Sequence, residues 1–139
     1  MQTSRRRRTR GNGAGVGPEL VTNGSFSTDT GWTKGAGWTI AAGVATAVAT
    51  GASALSQVIA ALVPGETYRV TFSITVQNVA GDGIAFFLGA LPQSTPRIGV
   101  GTYTQDVVCG AGTTFQFNAA AGGAWEGSID NVSIRQVGF

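Results

Sequence analysis

The chain has 139 residues, 22 of them glycine, with 12% charged residues, one cysteine and no histidine. A domain of this length buries on the order of two thirds of its unfolded surface and needs no disulfide staple, and Cys109 alone can form none within the chain. The lack of histidine excludes serine–histidine triads, cysteine–histidine pairs and histidine zinc sites within one chain; no G-x-x-x-x-G-K-[ST] phosphate loop and no run of about 18 apolar residues for a membrane span is present.

The formal net charge of +2 hides an asymmetry. Arg5, Arg6, Arg7, Arg8 and Arg10 supply five of the nine cationic side chains, while Lys34, Arg69, Arg97 and Arg135 face seven acids and leave the remainder at −3. A basic segment on an otherwise ordinary domain marks an interaction tail. The glycine-rich stretch behind it lacks the apolar core of a secretory signal, so synthesis in the cytoplasm is expected. Residues 1–18 have no apolar periodicity to offset the entropy of ordering. They read as an extended arm reaching up to about 60 Å, seated on a partner or a neighbouring subunit. Residues 19–139 read as one domain.

Residues 20–22 predict a first edge strand closed by an Asn23-Gly24 turn. Residues 38–42 and 44–50 predict a second pair about Gly43. Residues 54–63 place Leu55, Val58, Ile59 and Leu62 at helical spacing, but Ser56, the β-branched pair Val58-Ile59 and the following Pro64-Gly65 favour a strand. Pro64-Gly65 suits a type II turn. Residues 66–77 form the clearest strand, with Tyr68, Val70, Phe72, Ile74 and Val76 on one face. After a turn at 81–83, the apolar run 84–91 predicts a strand buried on both faces. Residues 97–100, 103–109, 113–118 and 128–137 complete the set, the last with an Asp130-Asn131 step that suits a bulge. The sum is an all-β chain, a two-sheet jelly-roll sandwich with an extended basic N-terminal arm.

Little in this pattern suggests catalysis. Glu66, Asp82, Asp106, Glu126 and Asp130 could furnish a carboxylate pair, but they sit at turns and solvated strand ends. Cys109, behind Val107-Val108, reads as a small buried hydrophobe. No enzyme activity is expected.

Four stretches carry a resemblance: Leu20-Val-Thr-Asn-Gly-Ser-Phe26, Gly31-Trp32, Pro64-Gly-Glu-Thr-Tyr68-Arg-Val-Thr-Phe72 and Ile129-Asp-Asn-Val132. Together they resemble, over residues 19–137, the carbohydrate-binding-module jelly rolls of the family-four-and-nine type within the galactose-binding-like fold. Such modules stack aromatic rings on sugars. The resemblance implies that Trp32 and Trp38 belong to the core, and it leaves Trp125 and Tyr103 as carbohydrate contacts, with Trp125 the exposed ring. The family often holds a structural calcium between its first and last strands. Asp130 matches the closing acidic ligand, whereas Ser27 stands where the family has an acid. No other cofactor is implied. Small proteins with this domain behind an arginine-rich arm also resemble virion proteins of tailed bacteriophages. The leading expectation is therefore a non-enzymatic virion protein that decorates or cements a capsid or tail, anchored by Arg5, Arg6, Arg7, Arg8 and Arg10 to other virion proteins or to copies of itself. The alternatives are a carbohydrate-binding module for host or environmental glycans, and a capsid protein whose arm contacts nucleic acid.

Overall fold

A computed structural model describes residues 16–48, 54–81, 83–90, 94–118 and 125–138. Arg5, Arg6, Arg7, Arg8, Arg10 and Asp82 lie outside the described residues, as do residues 119–124. The described chain is all strand and turn. Its strands are β1 (Thr33–Lys34), β2 (Trp38–Ala41), β3 (Val44–Ala47), β4 (Ala54–Val58), β5 (Thr67–Val79), β6 (Ala85–Leu88), β7 (Gly101–Val108), β8 (Thr114–Asn118) and β9 (Glu126–Gln136). They form a five-stranded sheet in the order β2-β3-β9-β5-β7 and a four-stranded sheet in the order β1-β4-β8-β6, each fully antiparallel.

The core follows from period-two alternation. Tyr68, Val70, Phe72 and Ile74 of β5 turn inward with Ile129, Val132 and Ile134 of β9. They meet Leu55, Phe86, Leu88, Phe115 and Phe117 from the other sheet. Phe72 is the hinge of this contact, edge-on to Phe117 at 5.1 Å and to Phe86 at 6.3 Å between ring centroids, a favoured aromatic arrangement.

Val76 breaks the expected alternation and is exposed. The register explains it: Ile74 pairs with Ile129 and Val76 with Ser128, so Thr75 is an extra residue on β5. That bulge shifts the parity, and Val76 lands beside Ser128 on the outer face. A second irregularity spans Asp130 to Ser133 on β9. There Asn131 takes φ 54°, a conformation asparagine tolerates; this is the bulge expected at the Asp-Asn step.

Other boundaries moved. Residues 20–22 do not form a strand. Instead Gly17 and Leu20 donate to the carbonyls of Gln136 and Ile134, and Gln57, itself buried, accepts from Thr22 N–H and donates to the carbonyls of Thr22 and Gly31. This segment is a loop held by side chains. β4 stops at Val58, after which Leu62 N–H bonds back to Ile59 O in a turn. Residues 97–100 contribute only a bridge between Arg97 and Ile84. The Pro64-Gly65 turn forms as expected, with Gly65 at φ 88° and Glu66 N–H bonded to Val63 O.

Candidate functional site

Trp125 is not the exposed ring it was expected to be: it is fully buried. Its indole N–H donates to Gln77 Oε1 at 3.2 Å. Gly127 makes room for it, since a Cβ there would come within 2.7 Å of the ring and run into the Val76 carbonyl oxygen. The sequence signal was Gly127, two residues on and on the same face. Gln77, on the long strand β5, supplies the acceptor that a buried indole requires.

Tyr103 is half-buried and its ring is engaged. Phe72 lies at 5.7 Å between centroids and the Arg97 guanidinium at 5.4 Å from the ring centre. Its hydroxyl shares one proton between the carbonyls of Ile98 and Gly99. Tyr103 therefore ties the 98–100 loop to the sandwich and offers no bare aromatic face. Trp32 and Trp38 are buried, as expected of core residues, and Trp32 Nε1 donates to Asn23 O at 3.0 Å.

Asp130 and Ser27 are the two positions that the resemblance connects with calcium. Asp130 Oδ1 accepts from Asn131 N–H at 2.7 Å, Ser27 is exposed and neutral, and among the described residues no three acids, cysteines or histidines cluster. Glu19 makes the tie between the first segment and the last strand. Its Oε2 accepts from the amides of Val21 and Ile134, and its Oε1 accepts from Ser133 Oγ at 2.6 Å and sits 3.7 Å from Arg135 Nε. The carboxylate is thus engaged by three hydrogen-bond donors and one ion pair within the protein.

Cys109 is buried, and burial pushes its thiol above the ordinary value, so it is held protonated and unreactive.

Among the described residues one other aromatic ring falls short of full burial: Phe87. The expectation of a strand buried on both faces fails there. On β8, Phe115 and Phe117 point inward, so Thr114, Gln116 and Asn118 point out. Phe87 pairs with Gln116, Gln116 with Ser56, and Ser56 with Thr33. These four form a row across the outer face of the four-stranded sheet. Phe87, Ala90, Thr114 and Gln116 line a hollow of about 350 Å³, and Ala90 at φ 76° lies in the turn after β6. The row carries no charge. At its far end Lys34 is bound to Asp29 at 2.6 Å. The arrangement offers one apolar ring flanked by an amide and hydroxyls, suited to stacking and hydrogen bonding against a neutral polar ligand. It offers no nucleophile and no acid–base pair.

Solved structures share this architecture. A CBM4 module matches with a TM-score of 0.56 at 15% identity, covering 84% of this chain and 99% of that chain. Two structures of family 29 carbohydrate-binding modules match with TM-scores of 0.53, at 17% and 18% identity; they cover 87% and 90% of this chain and 91% and 94% of theirs. The fold is an all-β jelly-roll sandwich, similar to that of these carbohydrate-binding modules. No family model matches the sequence, and no curated protein matches it.

Proposed function

We propose that this domain is a non-catalytic carbohydrate-binding module that holds a neutral glycan on the outer face of the four-stranded sheet. Phe87 is the stacking platform, and Gln116 and Thr114 bond the sugar hydroxyls. The half-exposed Phe87 in an uncharged hollow that also presents Thr114 and Gln116 carries the reading, and the shared fold with carbohydrate-binding modules supports it. A sugar ring contacting one aromatic face gains on the order of 1–2 kcal/mol, so one platform gives weak binding. The test is affinity electrophoresis against a panel of neutral polysaccharides, followed by calorimetry on the best hit. Phe87→Ala is expected to lower affinity about tenfold with an unchanged fold. Binding that survives Phe87→Ala and Gln116→Ala together rules out this face.

The charge of the arm favours a second reading, in which the same domain is mounted on a particle. Five arginines within the first ten residues gain most when each faces a carboxylate, phosphate or carbonyl. A virion surface is the setting this reading assigns, with the arm on a neighbouring protein. Deleting residues 1–18 then leaves a folded sandwich that no longer attaches, and a truncated protein that decorates the particle at normal occupancy refutes it.

A further inference from the structure

Open sheets have edges, and the four edges here are treated differently. β1 is two residues long and β2 four. The β6 edge is covered by the chain that follows it. Ser94 N–H bonds to Phe86 O, Phe86 N–H donates to Ser94 Oγ, and Ile84 and Arg97 exchange both backbone bonds. β7 is the exception. It is eight residues long and pairs with β5 in an unbroken register from Thr67–Val108 to Ile74–Gly101.

The direction of the free backbone groups on β7 follows from that register. Cys109 N–H donates to Glu66 O, so the hydrogen-bonded pairs along the ladder are those of Val107, Gln105, Tyr103 and Gly101. The amides and carbonyls of Thr102, Thr104, Asp106 and Val108 therefore point away from β5. Among the described residues no backbone group meets them.

Long exposed edges are normally blunted by lysine, proline, a bulge or an unpaired inward charge. β7 has none of these. Its single charge, Asp106, is neutralised within the sheet by a bidentate bond from Arg69 at 2.9 and 3.1 Å. Two exposed valines flank the edge, Val100 before it and Val108 at its end. An edge this long, unbroken and open is a template for another strand.

We infer that the strand is β7 of a second copy, paired antiparallel about a two-fold axis at Thr104. Outward-pointing residues must face outward-pointing residues, which leaves few registers. An axis at Asp106 would oppose two carboxylates. An axis at Thr104 sets Thr104 against Thr104, Thr102 against Asp106 of the second copy, and Val100 against Val108. Each of these is a favourable cross-strand pair, threonine with threonine, hydroxyl with carboxylate, valine with valine, and no like charges oppose. The pairing joins two five-stranded sheets into one of ten and closes an isologous dimer. It leaves the outer face of each four-stranded sheet uncovered, so the inference stands whether or not that face binds sugar.

The contact is an edge, well below the ~1,200–2,000 Å² of a standard interface, so the dimer is expected in the micromolar range. Sedimentation equilibrium of the whole chain from about 1 to 300 µM measures it, spanning the range where such a contact populates both states. The decisive variant is Thr104→Pro. Its N–H faces out and serves no bond in the monomer, and edge strands tolerate proline at such a position. The wild type is expected to dimerise reversibly, and Thr104→Pro to remain monomeric with an unchanged circular dichroism spectrum. Should the proline impair folding, Thr104→Lys replaces it, since two ammonium groups would then meet at the axis. Hydrogen exchange adds a pattern peculiar to this register: in concentrated wild type the amides of Thr102, Thr104 and Asp106 gain protection relative to dilute protein. A wild-type chain that is monomeric throughout, or a dimer that persists in both Thr104 variants, overturns the inference.

Discussion

Replacing Trp125 with alanine is the most informative single change to the core. The indole is fully buried, bonded to Gln77 Oε1 and laid against Gly127. Truncating a buried tryptophan to alanine costs about 3–5 kcal/mol in transfer and cavity terms. Gln77 Oε1 keeps its bond from Gly99 N–H, so the lost indole bond adds only about 1 kcal/mol. A loss near 5 kcal/mol is a large share of the ~5–15 kcal/mol that stabilises a typical domain. At roughly 3–6 °C per kcal/mol for a domain of this size, Tm should fall by about 15–30 °C. Trp125→Phe keeps an aromatic ring and loses the N–H, which costs about 1–2 kcal/mol. Urea titrations of the three proteins measure these losses as shifts in midpoint at constant slope. Glycan affinity in Trp125→Phe should equal that of the wild type, because the ring reaches no surface. A Trp125→Ala loss below about 1 kcal/mol, the range of surface substitutions, would refute the burial argument.

Glu19→Gln should destabilise by roughly 1–2 kcal/mol by weakening charge-assisted bonds from Val21, Ile134 and Ser133; a neutral result in urea denaturation would show that the first segment is held by other contacts. A chelator should move Tm by less than about 2 °C, since Glu19 already joins the first segment to β9 and the acids among the described residues do not converge; calorimetry with and without added calcium checks this. Cys109 predicts a pH effect. Its folded thiol is raised by burial, so its contribution is complete below about pH 8.5, the ordinary thiol value. Above that the unfolded chain ionises first, and stability declines as pH climbs through the folded value. Cys109→Ala should flatten that decline, and equal slopes in the two proteins would count against the effect.

The sequence by itself determined the fold class and much of the core. Alternation from Tyr68 to Ile74, the proline–glycine turn before it and the Asp130-Asn131 bulge follow from local rules of strand parity and backbone preference. Tertiary structure decided what local rules cannot see. Thr75 becomes a bulge only because β9 pairs on both sides of it, and that single insertion sends Val76 outward. Residues 20–22 have strand-like side chains, yet the amide of Gln57 and the carbonyl of Ile134, both distant in sequence, satisfy much of their backbone, with Glu19 bonding Val21 locally. The aromatic residues show the same division most clearly. Trp125 follows a glycine- and alanine-rich stretch typical of exposed loops, but a glycine cradle and a glutamine acceptor from β5 enclose it. Phe87 sits in an unbroken apolar run, but its partner strand β8 alternates and leaves one face to solvent. Which ring is covered depends on the strand beside it, and strand pairing is a property of contacts distant in sequence.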